Sequence, residues 1–245
     1  MALILLLFVG LVKAEPFPLT LVTGDEYPPF TDLDLHQGGM ATSLVLSAFE
    51  KSGYFVREIE WLSWKRGYLL AQSAQYHGTF PYGWNEERAE AFYYSDSFFP
   101  VLSYVWTSQE QKHRFINMED LEGLVFCNPR GYGNFGVALE LINRNLLRRE
   151  TPNKMKQCFT MLMLKRVDFV ISIHSDAMIG LLESGVSLDE VHQTELIIAD
   201  IPHHFIVSKQ LPMAQQVIEA FNQGLKILRD NGDYDALKKE FNWVE

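Results

Sequence analysis

Only two cysteines, Cys127 and Cys158, occur in 245 residues. That is too few for a disulfide-stapled scaffold, and the pair lacks the spacing of a zinc site. Basic residues are outnumbered, 21 Lys+Arg against 31 Asp+Glu, for a formal net charge of −10. A chain this acidic lacks the basic footprint that nucleic acid or an anionic membrane requires. The seven histidines show no H-E-x-x-H, and His203 and His204, as strand neighbours, would face opposite sides, so no metal is expected. The G-x-S-x-G elbow of serine hydrolases is missing, and no acids are paired in sequence for proton transfer. No apolar run reaches the roughly 20 residues that span a bilayer. What remains is a folding composition, 47% hydrophobic and 13% aromatic, which excludes a disordered or low-complexity chain.

Residues 1–14 (MALILLLFVGLVKA) are almost wholly apolar and end in Val12-Lys13-Ala14. They read as a secretory signal cleaved after Ala14; the competing reading is a buried N-terminal strand. Cleavage would leave 231 residues with a net charge of −11, in an oxidising compartment.

The hydrophobic pattern predicts alternating strands and helices, hence an α/β fold. Strands are expected over 19–23, 54–61, 77–80 and 98–107, with helices over 40–51 and 64–74. The pattern then restarts. Strands are expected over 123–128, 154–157, 168–172, 195–199 and 204–208, with helices over 135–149, 159–165 and 176–183. Two amphipathic helices, over 214–228 and 234–241, finish the chain. Two α/β blocks suggest two lobes, with crossings near 108–112 and Pro202.

Three features carry candidate chemistry. Gly131-Tyr132-Gly133-Asn134-Phe135-Gly136 matches G-x-G-x-x-G between a predicted strand and helix. A dinucleotide site would need an acid closing the next strand, and none is there. The turn could instead present backbone N–H groups to an anion, or simply be tight. Arg88 sits in an acidic helix start; it is either a solvated charge or the guanidinium that pairs a carboxylate in bidentate fashion. Tyr27, Phe30, Trp64, Tyr82 and Trp84 fall in or beside predicted loops, where they either cap the core or wall a crevice at strand ends. In an oxidising compartment Cys127 and Cys158 either bridge or remain two buried thiols. Arg144, Arg148, Arg149, Lys154 and Lys156 form a basic run expected to be a solvated face.

Together these residues resemble the family 3 extracellular (periplasmic) solute-binding proteins of polar amino-acid ABC transporters. The likeness runs from about Leu19 to Trp243. Its landmarks are the 24–30 segment GDEYPPF, Gly38-Gly39, Glu87-Arg88 before Tyr94-Ser95-Asp96, and Leu121-Glu122-Gly123. The 131–133 turn, Arg166-Val167-Asp168 and Gly232-Asp233-Tyr234 complete them. The resemblance implies a type II periplasmic-binding-protein fold, each lobe a mixed sheet flanked by helices, with two crossover strands. Lobe 1 would be 15–107 plus 204–245, and lobe 2 would be 108–203. It also implies that Arg88 grips a ligand carboxylate, Tyr27 covers the ligand, Trp64 forms a wall, and Gly131, Tyr132, Gly133 and Asn134 add backbone donors. The expected protein is a periplasmic monomer that binds a small carboxylate, uses no cofactor and docks on a membrane permease or sensor.

Departures from the family pattern are informative. The stretch before Arg88 is Phe80-Pro81-Tyr82-Gly83-Trp84 instead of small hydroxyl residues, and Tyr132 replaces the usual Thr. The family's acid for a ligand amine aligns with Ile173, between Ser172 and His174; only Asp25 or Asp176 could substitute. A partly apolar or aromatic carboxylate therefore suits the residues better than an ordinary α-amino acid. The rival expectation is a dehydratase-like enzyme on the same scaffold, with His174 or Glu86 as the proton-transfer group. A ligand-sensing receptor subunit is the third.

Overall fold

The computed structural model describes residues 17–25, 27–112, 114–130, 136–241 and 243. The expected signal and the 131–134 turn lie outside these residues. The elements in chain order are β1 (Leu19–Thr23), α1 (Met40–Lys51), β2 (Val56–Trp61), α2 (Trp64–Gln72), β3 (Thr79–Gly83) and α3 (Glu86–Ala91). There follow β4 (Phe92–Tyr94), β5 (Phe99–Ser108), β6 (Val125–Cys127), α4 (Gly136–Asn143), β7 (Arg148–Glu150) and α5 (Met155–Met163). The chain closes with β8 (Phe169–Ile173), α6 (His174–Ser184), β9 (Val191–Ser208), α7 (Ala214–Asp230) and α8 (Asp233–Glu240).

The strands form one curled sheet in the order β2-β1-β3-β9-β5-β8-β6-β7, with β4 also paired to β9. Parallel pairs occupy its two ends, β1 with β2 and β3, and β6 with β7 and β8. The middle is antiparallel: β5 runs against both β9 and β8. Helices cover the sheet because their apolar residues recur at helical spacing. In α7, Val217, Phe221, Gly224, Leu225 and Leu228 are all buried, and the helix packs on α1.

Burial separates along the sheet. One core joins Leu19 and Leu21 of β1, Phe49 of α1, Phe205 of β9 and Phe221 of α7, so it is built from both ends of the chain. Two further clusters use residues between Val105 and Ile198, around Phe126, Phe159 and Phe169. Each such ring removed from water contributes about 2–3 kcal/mol. Cys127 on β6 and Cys158 on α5 are joined by a disulfide with a Cα–Cα separation of 5.3 Å.

Three expectations need correction. Residues 154–157 open α5 and are no strand: the Gln157 side chain accepts from the backbone N–H groups of Asn153 and Lys154, both at 3.0 Å, and so caps the helix. Lys154 stands at the N-cap position, where the usual Ser, Thr, Asp or Asn signal is missing. The two strands expected over 195–199 and 204–208 are one strand, β9. Pro202 does not interrupt it because it stands opposite Pro100 of β5, at a rung where no N–H is needed. Two prolines can oppose one another only at a rung that needs no N–H. Lastly, the helix expected over 135–149 stops at Asn143, and its tail forms β7.

Candidate functional site

The ends of β3 and β8, the interiors of β5 and β9, the start of α6, and α3 with the loops after β1 and β3 enclose a cavity of about 580 Å³. Its walls are aromatic on one side. Trp64, the first residue of α2, donates from Nε1 to the Asp25 carbonyl at 3.0 Å, which ties the helix to the loop after β1. Gly24 makes this possible: a Cβ there would lie 2.2 Å from the indole ring. Tyr27 and Tyr82 each meet Trp64 edge-to-face, with centroids 6.1 and 5.9 Å away. Burial pushes the Tyr82 phenol up to about 12, so it is neutral at ordinary pH. Trp84, 60% exposed, stands at the rim.

Arg88 enters from α3. Asn85 caps this helix by accepting from the Arg88 N–H at 2.7 Å, which fixes the turn that aims the side chain. The guanidinium lies over the Tyr82 ring, 4.8 Å from its centroid, and Nη1 donates to the Gly83 carbonyl. Nε is buried without a hydrogen-bond partner among the described residues. A held cation with an unmet donor is suited to an anion.

The opposite wall is smaller and polar. Ser172 on β8 is 4% exposed, and its Oγ has no hydrogen-bond partner among the described residues. Asn128, just after β6, is oriented by Arg149: Nη2 donates to Asn128 Oδ1 at 3.0 Å, and Nε to its carbonyl at 3.1 Å. Arg149 was expected on a solvated face; it is half-buried, and burial lowers its pKa. Asp176, in the first turn of α6, also lines the cavity. His203 lines it from β9, stacked on Phe99 at 5.2 Å. Burial, with His204 and Arg88 nearby, lowers the His203 pKa from 6.5 to about 4.

Of the residues singled out from sequence, Tyr27, Trp64, Tyr82, Trp84, Arg88 and Ser172 therefore meet at one cavity. Asp25 does not line it; its carboxylate accepts from the Leu33 N–H at 2.9 Å and shapes the loop. His174 lines a neighbouring cavity of about 400 Å³ with Phe30, Tyr104 and Trp243, and its Nδ1 lies 2.8 Å from Gln193 Oε1. Glu86 is exposed and lines neither cavity. Gly131, Tyr132, Gly133 and Asn134 lie outside the described residues. Gly136, which closes that motif, is structural: a Cβ on it would come within 2.3 Å of the Ile198 carbonyl, where α4 meets β9. Sequence reasoning missed Asn128 and His203 as site residues. Among the described residues no cluster of His, Cys, Asp and Glu could hold a metal ion, and no helix is long and apolar enough to cross a membrane.

No family model matches the sequence, and no curated protein matches it. Solved structures do. The probable amino-acid ABC transporter extracellular-binding protein ytmK from Bacillus subtilis superposes with a TM-score of 0.73 at 13% identity, covering 92% of this chain and 97% of that one. A histidine kinase sensor domain with similarity to periplasmic binding proteins gives 0.66 at 19% identity, covering 94% and 98%. The GluR0 ligand-binding core from Nostoc punctiforme, in complex with L-glutamate, gives 0.64 at 18% identity, covering 91% and 99%. The chain has the type II periplasmic-binding-protein fold. At these identities the likeness establishes the fold alone.

Proposed function

We propose that this protein is a solute-binding protein that captures a small carboxylate between two lobes, for an ABC-type uptake system. The observation that carries the reading is the cavity in which Arg88, stacked on Tyr82, faces Asn128 and Ser172 from the other end of the sheet. Lobe 1 is assigned to 15–107 plus 204–245 and lobe 2 to 108–203, with β5 and β9 as the crossover strands. The separation of the cores supports a division close to these bounds, with Val105 and Trp106 of β5 already packed in the second set of clusters. Arg88 grips the carboxylate, and Tyr27, Trp64, Tyr82 and Trp84 wall the ligand's apolar part. Asp176 takes the position from which an amine could be received, one helical turn beyond the aligned Ile173. Closure about β5 and β9 would bring the walls together, as in other two-lobed binding proteins.

The protein would work as a periplasmic monomer, exported by residues 1–14, and dock on a permease. A sensing role is the second reading, favoured by the likeness to a histidine kinase sensor domain. The dehydratase-like reading loses both of its named groups, since neither His174 nor Glu86 lines the cavity. The test is calorimetric titration with a panel of small carboxylates. Wild type should bind at least one saturably, and Arg88→Ala should weaken it by about a hundredfold or more, the loss of a charge-assisted pair. Unchanged affinity in the variant would remove Arg88 from the site.

A further inference from the structure

His203 is the buried polar side chain of the cavity that the carboxylate reading does not use. It is 8% exposed and clamped between Phe99, 5.2 Å away and nearly parallel, and Tyr27, 6.3 Å away. Its Nδ1 lies 2.8 Å from the Ile201 carbonyl, an atom that can only accept, so Nδ1 carries the hydrogen. In the neutral ring Nε2 must then be an acceptor, and it has no hydrogen-bond partner among the described residues. The ring is held neutral by burial and by the Arg88 charge, which both disfavour imidazolium. Nε2 opens on the cavity, and Ser172 Oγ, buried and without a hydrogen-bond partner among the described residues, lies in the same wall. A ligand that fills the cavity displaces the water available to Nε2, and an acceptor fixed in place at the wall then needs a donor from that ligand.

We propose that His203 is a specificity-determining residue: its Nε2 accepts a hydrogen bond from an N–H or O–H on the ligand, so the cleft selects planar carboxylates that carry such a donor. This rests on the carboxylate reading above and narrows it. Planarity follows from the aromatic walls, and the donor from the fixed tautomer of His203. A ligand lacking the hydrogen would leave Nε2 unpaired in a closed cavity, a loss that discriminates more strongly than a missing methylene.

The experiment uses two matched pairs of probes with the full-length mature protein: 4-hydroxyphenylacetate against phenylacetate, and indole-3-acetate against 1-methylindole-3-acetate. Wild type should bind the donor-bearing member of at least one pair about tenfold more tightly or better. His203→Phe fills the same aromatic stack without an acceptor and should bring that ratio to about one. His203→Gln keeps an acceptor and should retain part of it; thermal melts of both variants establish that they fold. Equal binding of both members by wild type overturns the assignment and leaves the carboxylate reading standing. So does a ratio that survives in His203→Phe. Failure of wild type to bind any of the four acids overturns the assignment, while the carboxylate reading falls only if the wider panel of small carboxylates also fails to bind.

Discussion

The two ends of the sheet reach stability by different routes. Around β1, α1 and α7 the core is an interlock of rings: Phe205 stacks on Phe221 at 5.1 Å, and Phe49 meets both edge-on or tilted at 5.3–5.6 Å. This end contains no cysteine. Around β6, α5 and α6 the core is thinner in rings and is stapled by Cys127–Cys158. The cavity repeats the contrast. The first end supplies bulk and a cation, in Trp64, Tyr82 and Arg88; the second supplies smaller polar groups, in Asn128 and Ser172, and the acid Asp176. The cation and the bulk therefore come from one end, and the acid and the small hydrogen-bonding groups from the other. His203, on β9 between the two ends, belongs to both patterns, as a ring in a stack and as an acceptor.

The contrast can be broken most strongly at the disulfide. Replacing both cysteines by alanine removes a cross-link between residues 31 apart, which should cost about 3.5 kcal/mol on the chain-entropy account. Calorimetry should then show the second end melting about 15–25 °C lower while the aromatic end holds. A uniform shift of the whole molecule would show that the two ends unfold as one unit.

A smaller effect follows from His203. In the unfolded chain it takes a proton near pH 6.5, and in the folded protein only near 4. Between those values the unfolded chain holds more protons, so stability is full above about pH 6.5, falls as pH drops towards 4, and then levels off. The loss is about 3 kcal/mol. Urea midpoints measured across this range should track it, and His203→Gln should flatten the slope. His77 and His204, also lowered by burial, will keep part of it.

The smallest effect sharpens the aromatic wall. Gly24→Ala forces the Trp64 indole to move and should cost about 2 kcal/mol, with a shift in tryptophan emission and weaker ligand binding. Normal binding in this variant would take Trp64 out of the wall.

Much of the fold could be read because its periodicities are clean. Helix α1 begins and ends at the residues expected, and α7 and α8 lie within two residues of expectation. The misreadings have local causes. Gln157 caps α5 from inside the helix, and Pro202 is tolerated in β9 because its rung with Pro100 needs no N–H. Neither fact exists in a linear reading. At the site, loop aromatics and Arg88 were visible because bulky or charged residues near strand ends are uncommon enough to notice. Asn128 was not: its orientation depends on Arg149, 21 residues away, which looked like one more surface charge. In sequence His203 offers only a metal-ligand reading beside His204, and the carbonyl that fixes its tautomer becomes visible only in three dimensions.

Native mass spectrometry of protein purified from its own compartment, alongside Arg88→Ala prepared identically, tests the central claim most directly. The account predicts that wild type carries the added mass of one small organic acid and that the variant does not. Identical masses for the two, with or without a passenger, would contradict it.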